Sequence, residues 1–331
     1  MIKHKTQFKV DSNKMLKWKK LGRVFNPTEV QYQKPWLKEF AQAPATQIFD
    51  DFVRVYFSCR PPRDKDGQYV SYSAYLDLDR NNLFNILRIA EQPILELGKL
   101  GTFDEFGTYP VSVIQKEKNY WCYYAGWTRC ESVPFNVAIG VGVSKDGGNT
   151  FQKLGEGPVL SYSPDEPFVI SGPKIRCFNG RYYLFYIAGK KWVKVNNFPE
   201  PVYTIRMAIS DDGLNWTKIG KELIPPKIEE NEAQASPDVF YKDGKYHMFY
   251  SYRRSFQYRG KEGSYRIGYA SSDDLINWKR EDHKAGIDIS ESGFDNEMVA
   301  YPHVFELDEK IYMMYLGNQV GRFGFGLAEL I

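Results

Sequence analysis

No run of about 18 apolar residues occurs anywhere in this chain, so nothing in it reads as a membrane-spanning helix. The stretch from Met1 to Lys20 also lacks the shorter apolar core of a signal peptide, which makes a cytoplasmic protein the expectation. Charge of one sign is nearly absent as an excess: 44 basic against 41 acidic side chains leave +3, too little to argue for a nucleic-acid partner. Only four cysteines are present. Cys59, Cys122, Cys130 and Cys177 lack the paired short spacings of a zinc site and are expected as buried free thiols rather than a disulfide. His4, His247 and His283 show no metal-ligand spacing, and no Asp-rich cation loop is visible. With no phosphate-binding glycine loop and no serine nucleophile elbow, neither a cofactor nor a metal is expected.

Aromatic residues are plentiful, at 16% of the chain, with 24 Tyr and 22 Phe, and they favour sheet over helix. Five segments that begin near Gln42, Thr108, Ser171, Ala235 and Ala300 can be laid over one another. Their shared prolines, Pro44, Pro110, Pro173, Pro237 and Pro302, are 66, 63, 64 and 65 residues apart. In each segment a β-like run leads through a turn, such as Asn179-Gly180 or Asp243-Gly244, into a second aromatic run. Asn-Gly and Asp-Gly tolerate the positive φ of tight hairpins.

A third strand follows in each unit, at 70–76, 137–144, 204–210, 264–271 and 321–329. After three of these a turn and a Trp or Phe lead into a short fourth strand. The pattern predicts an all-β fold: a five-bladed β-propeller of four antiparallel strands per blade, in a single domain spanning 1–331. The last unit stops after its third strand, and residues 16–22 resemble the fourth-strand segment 215–220. An N-terminal strand is therefore expected to close the last blade and remove two open sheet edges. A β-sandwich offers no reason for a five-fold period, and six or seven blades would need more chain.

Loops entering the first strands crowd one mouth of such a ring, where a pocket is expected. Glu39, Glu105, Glu232 and Glu297 each stand five residues before a shared proline. The third blade has Phe168 there, with Asp165 and Glu166 just upstream. Paired carboxylates suit glycosidic bond cleavage, one giving a proton to the leaving oxygen while the other activates water or attacks the sugar. Glu105, Glu232 and Glu297 are thus the candidate catalytic acids. Glu232 or Glu297 is assigned as the general acid, and Glu105 as base or nucleophile. Candidate substrate-binding residues are Asp104, Glu166, Tyr109, Tyr301, Trp127 and Lys174, together with His303, which follows Pro302 and is placed to orient a carboxylate. Arg129, Lys190 and Arg253 belong to a cationic set that also includes Arg60 and points to an anionic oligosaccharide or glycoconjugate.

The run from Ser171-Gly172-Pro173 to Tyr186, and that from Ala235-Ser236-Pro237 to Tyr246, resemble blades of the five-bladed glycoside hydrolases of families 43, 32, 62, 68 and 130. The resemblance extends through all five repeats and implies a glycan-active hydrolase or phosphorylase. Those families place acids immediately before the repeated proline or a neighbouring Gly-Pro or Cys. Here those places hold Ala43, Tyr109, Gly172, Ser236 and Tyr301, none acidic, so the families' catalytic residues do not carry over. Two expectations of different class follow: an enzyme using the acids five residues before proline, or a non-catalytic propeller that binds a glycan or a protein at the same mouth.

Overall fold

A computed structural model of the chain describes residues 15–256, 258 and 260–331, so His4 lies outside the described residues. Each repeat opens with a hairpin whose turn is dictated by its sequence. Asn179 and Gly180 take φ of 51° and 77°, and Asp243 and Gly244 take 49° and 82°, the left-handed pair that matches strand twist. Five such units give five four-stranded antiparallel sheets, each one blade.

Strand β1 (Trp18–Phe25) belongs to the last blade. Blade one contains β2 (Glu39–Ile48), β3 (Phe52–Arg60), β4 (Tyr72–Asp79) and β5 (Asn82–Ile89). Blade two contains β6 (Gly107–Lys116), β7 (Asn119–Arg129), β8 (Phe135–Ser144) and β9 (Gln152–Lys153). Blade three runs through β10 (Ser171–Phe178), β11 (Arg181–Val195), β12 (Phe198–Ser210) and β13 (Thr217–Lys218). Blade four runs through β14 (Ala233–Lys242), β15 (Lys245–Arg253), β16 (Arg266–Ser272) and β17 (Trp278–Arg280). Blade five holds β18 (Ala300–Leu307), β19 (Lys310–Leu316) and β20 (Phe325–Leu330), and β1 pairs antiparallel with β20 from Trp18 opposite Leu330 to Phe25 opposite Phe325. The N-terminal segment thus closes the ring as its sequence predicts.

The innermost strands β2, β6, β10, β14 and β18 share one irregularity. In each, the pairing register shifts across the residues that contain the repeated proline: Gln42/Ala45, Thr108/Val111, Ser171/Lys174, Ala235/Asp238 and Ala300/His303. Proline has no N–H to give to a ladder, which confines it to such bulges. The residue before proline takes φ near 50° at Ala43, Ser236 and Tyr301 and 62° at Gly172, a conformation that costs a non-glycine residue about 1–3 kcal/mol. Tyr109 instead precedes a cis proline. The bulge turns the pre-proline side chains toward one end of the channel.

Two expectations need correction. Cys59 and Cys122 are buried free thiols, but Cys130 and Cys177 are free and exposed, because Cys130 follows the end of β7 and Cys177 lies on a half-open stretch of β10. The hairpin of blade three is also longer than its repeat predicts: β11 and β12 stay paired from Tyr182–Ser210 out to Val195–Phe198.

Candidate functional site

The five pre-proline residues Ala43, Tyr109, Gly172, Ser236 and Tyr301 all line one cavity of about 90 Å³ at the end of the channel where the inner strands begin. Their convergence follows from the shared bulge. Trp127 from the end of β7, Phe135 from the start of β8 and Tyr203 from β12 complete an aromatic wall. Trp127 stacks on Tyr109 with ring centroids 5.6 Å apart, and its indole N–H donates to the Tyr109 carbonyl at 2.6 Å. Tyr301 meets Tyr265 edge-on at 5.8 Å, and its backbone N–H donates to Ser251 Oγ at 2.7 Å. Burial pushes the phenols of Tyr109, Tyr203 and Tyr301 upward, so all three remain hydrogen-bond donors at neutral pH.

Two arginines flank this wall. Arg253 is buried; its Nε donates to the Tyr265 hydroxyl at 3.0 Å, and its Nη2 reaches the Tyr203 hydroxyl at 3.3 Å and the Pro201 carbonyl at 3.1 Å. Arg60 lies on the opposite side, 5.6 Å from the Tyr109 ring, with its Nε on Ser71 Oγ at 3.1 Å. Glu39 faces the same region, where it accepts from the Tyr69 hydroxyl at 3.1 Å and pairs with Arg322 at 2.5 Å.

One residue deeper, the side chains that follow the prolines form a second layer in the channel. Lys174, Asp238 and His303 belong to it and are all buried. Asp238 pairs with Arg176, stands 3.4 Å from His303 Nδ1 and 4.0 Å from Lys174 Nζ, and accepts from the Val304 N–H at 2.6 Å. Burial alone would raise the Asp238 carboxyl, but Arg176, His303 and Lys174 outweigh it and hold the group well below the usual carboxylate range. Burial drives Lys174 down to about 8 against the pull of Asp238. The Thr46 N–H donates to His303 Nε2 at 2.9 Å, which assigns the imidazole proton to Nδ1, facing Asp238.

The structure brings Tyr109, Trp127 and Tyr301 together at the cavity with Arg253 behind them, and sets Lys174 and His303 beneath it. The other predicted residues go elsewhere. None of Glu105, Glu232 and Glu297 lines the cavity. Glu105 accepts from the Gly101 N–H at 2.9 Å within its own loop. Glu232 is buried against Arg280 of the outermost strand at 2.7 Å and caps the Lys227 and Ile228 N–H groups at 2.9 and 3.0 Å. Glu297 is half-buried, and its backbone carbonyl is taken by Ser264 Oγ and Arg266. Asp104 bonds Tyr124 at 2.8 Å and Lys153 at 2.5 Å, while Glu166 bonds Tyr186 at 2.9 Å and Lys218 at 2.6 Å. Arg129 pairs with Asp64 at 2.6 Å, and Lys190 with Glu222 at 2.9 Å. The three glutamates therefore do not share the cavity, and the carboxylates of Glu105 and Glu232 are engaged by backbone N–H groups of their own loops. Tyr203, Tyr265 and Asp238 were not singled out from the sequence, although Asp238 occupies the same repeat position as Lys174 and His303.

With this geometry in hand, comparison with known proteins gives a consistent result. Uncharacterized protein Rv1502 of Mycobacterium tuberculosis strain ATCC 25618 / H37Rv is 32% identical over 314 residues, 95% of this chain and 99% of the relative. Its counterpart MT1551 in strain CDC 1551 / Oshkosh matches to the same extent. The chain belongs to the family of these mycobacterial proteins. The model of the glycosyl hydrolases family 32 N-terminal domain matches residues 235–323 of the chain. A solved structure described as a glycoside hydrolase superposes with a TM-score of 0.73 at 16% identity, over 95% of this chain and 92% of that one. A structure from a study of family 130 mannoside phosphorylases and glycoside hydrolases that target beta-1,2 mannosidic linkages in Candida mannan gives 0.70 at 16%, over 97% and 95%. The Bombyx mori family 32 β-fructofuranosidase gives 0.60 at 14%, over 90% of this chain and 62% of that one. At these identities the likeness is one of fold.

Proposed function

We propose that this propeller engages a glycan at the channel mouth and acts there as a carbohydrate-binding module rather than as a paired-carboxylate hydrolase. One observation carries this reading: five pre-proline residues from five blades converge on a single cavity, and none of them carries a carboxylate. Aromatic faces such as Trp127 stacked on Tyr109 suit the apolar faces of sugar rings, and Ser171, Ser236 and the phenols supply hydroxyl partners. General acid–base cleavage needs two carboxyl groups about 5–9.5 Å apart around the scissile bond. The nearby acids Glu39 and Asp238 already hold Arg322 and Arg176.

A second reading, glycosidic bond cleavage by hydrolysis or phosphorolysis, is favoured by the family 32 match over 235–323. One experiment separates the two. Arabinosides, xylosides, fructosides, galactosides, mannosides and acidic glycans are screened for binding and for turnover, with and without phosphate. The parent is compared with Trp127→Ala, Glu105→Gln, Glu232→Gln and Glu297→Gln. Binding that is lost in Trp127→Ala, with no turnover by the parent, is the expected result. Turnover that collapses in any one of the glutamine variants while its fold is intact would replace it with the second reading.

A further inference from the structure

Arg60 and Arg253 differ from the other arginines packed inside the propeller. Arg54, Arg176, Arg206, Arg266 and Arg280 each have a carboxylate within 4.0 Å. Neither Arg60 nor Arg253 has one among the described residues. Arg253 is only 1% exposed, so its charge has little water to spread over as well as no paired acid. It lies among aromatic faces instead, 3.8 Å from the Tyr258 ring centre and 5.3 and 5.5 Å from those of Tyr203 and Tyr265. An uncompensated buried cation is costly unless something negative completes it.

The hydrogen bonds around Arg253 have a direction. Its N–H groups occupy lone pairs on the Tyr203 and Tyr265 hydroxyl oxygens, and those two hydroxyls are in short contact with each other. One phenol proton is used between them, and the chain of hydroxyls continues away from the arginine through Tyr301 to Tyr109, on the side where Tyr109, Tyr203 and Tyr301 line the cavity. A phenol whose oxygen already accepts from a guanidinium is a stronger donor outward. Arg60 does not line the cavity itself but stands beside its Tyr109 wall, fixed by its Nε bond to Ser71 and by the rings of Phe40, Tyr69 and Tyr109 at 4.7, 4.9 and 5.6 Å. Its two terminal nitrogens make no hydrogen bond among the described residues, so a fork of donors is left for a planar or tetrahedral oxyanion.

We propose that the channel mouth is an oxyanion receptor that selects glycans carrying a carboxylate or a phosphate, held by the free end of Arg60 and by the phenols of Tyr109, Tyr203 and Tyr301, with Arg253 behind them. The cavity of about 90 Å³ accepts one such group and leaves the rest of the sugar on the aromatic rim. This inference rests on the glycan reading of the same pocket and narrows it to charged sugars.

The test is calorimetric titration of the full chain at low ionic strength with glucose, glucuronic acid, glucose 6-phosphate and inorganic phosphate. Both charged sugars, or one of them, are expected to bind at least about tenfold more tightly than glucose, and the stronger of the two names the source of the oxyanion. Arg60→Gln is expected to remove that preference, so that the charged sugars bind this variant no more than about twofold more tightly than glucose does. Tyr301→Phe, which keeps the ring and loses only the hydroxyl, should weaken the charged sugars in the same sense, so the test does not depend on the buried Arg253. Equal affinity for glucose and its charged counterparts overturns the receptor while leaving a glycan pocket intact. Phosphate binding that depends on Arg60, with no sugar bound at all, supports the receptor and overturns the glycan reading. A charge preference unchanged in both variants, or no binding by any probe, overturns the receptor.

Discussion

The Tyr186 hydroxyl lies 2.9 and 3.0 Å from the two carboxylate oxygens of Glu166, and Lys218 of the outermost strand closes on the same carboxylate at 2.6 Å. The arrangement recurs around the ring. Asp104, Tyr124 and Lys153 form it in blade two, and Asp295, Tyr315 and Lys20 form it in blade five. In blade four Arg280 bridges Glu232 and Asp282, and Tyr250 bonds Asp282 at 2.6 Å. An acid from the loop entering the inner strand is thereby latched to the second and fourth strands of its own blade. Blade one has Phe57 at the tyrosine position, buried in the apolar core, and forms no latch of this kind among the described residues.

Breaking a latch should cost stability rather than ligand affinity. Tyr186→Phe leaves Glu166 one hydrogen bond short and is expected to lower stability by about 1–3 kcal/mol. Lys218→Met strips the nearest counter-charge from a buried carboxylate, with Arg206 no nearer than 4.0 Å, and should cost about 3–5 kcal/mol. Urea unfolding midpoints at constant slope measure both. Midpoints equal to the parent's in both variants would refute the latch.

In blades two, three and five the loop before the inner strand also sets a ring against a glycine of the second strand or just beyond it: Phe103 on Gly126, Phe168 on Gly189 and Phe294 on Gly317. A Cβ on Gly189 would sit 2.3 Å from the Phe168 ring and 2.8 Å from the Phe168 carbonyl oxygen, and the Gly189 N–H already donates to that carbonyl at 2.9 Å. Gly189→Ala is therefore expected to destabilise by about 1–3 kcal/mol. Adding Phe168→Leu should recover only part of this, because the carbonyl stays where it is. Full recovery in the double variant would place the clash on the ring alone.

These latches explain how far the sequence could be read. The five-fold period is carried by prolines and turn residues that act locally, so the strands, the blades and the closing role of residues 18–25 follow from it. The meaning of the acids is set by partners remote in sequence: Lys153 for Asp104, Lys218 for Glu166, and Lys20 from the other end of the chain for Asp295. A glutamate five residues before a proline looks the same whether its oxygens face a substrate or an arginine such as Arg280. The cavity wall was more legible, since Tyr109 and Tyr301 stand immediately before the repeated prolines, whereas Tyr203 arrives on the extended hairpin that the period does not reveal.

In the channel, Asp238 balances Arg176 and Lys174 and also accepts from a backbone N–H. Asp238→Asn keeps the shape and removes the charge, leaving two cations facing each other, and is expected to cost about 3–5 kcal/mol. Lys174→Met should shift stability by less than about 1 kcal/mol, because the ammonium makes only a 3.4 Å contact with the Pro44 carbonyl and stands 4.0 Å from Asp238. A comparison of the two unfolding curves decides it: equal losses would mean that Lys174, not Arg176, is the main partner of Asp238.

Acid sensitivity should follow from His303. Burial pushes its imidazole down to about 4 from 6.5, and the nearby Asp238 offsets this only in part. Protonating Nε2 would set two donors against each other, since the Thr46 N–H already points at that nitrogen at 2.9 Å. Between about pH 6.5 and 4 the unfolded chain therefore binds a proton that the folded chain refuses, so stability is complete above 6.5 and falls as pH drops toward 4, by at most about 3 kcal/mol. Below that range both states are protonated and His303 adds no further loss. Lys174 stays charged throughout, and Asp238 stays ionised, its folded value being lower still. His247 is also pushed down by burial, so the parent's total slope belongs to both histidines. His303→Gln isolates one of them, because the amide oxygen can accept from Thr46 and does not titrate. Urea midpoints at pH 7.5, 5.5 and 4.5 should fall less steeply in this variant than in the parent, by up to one proton's worth of slope. Parallel declines in the two proteins, or an NMR titration of the His303 ring centred above pH 6, would show that the imidazole is not held neutral by this channel.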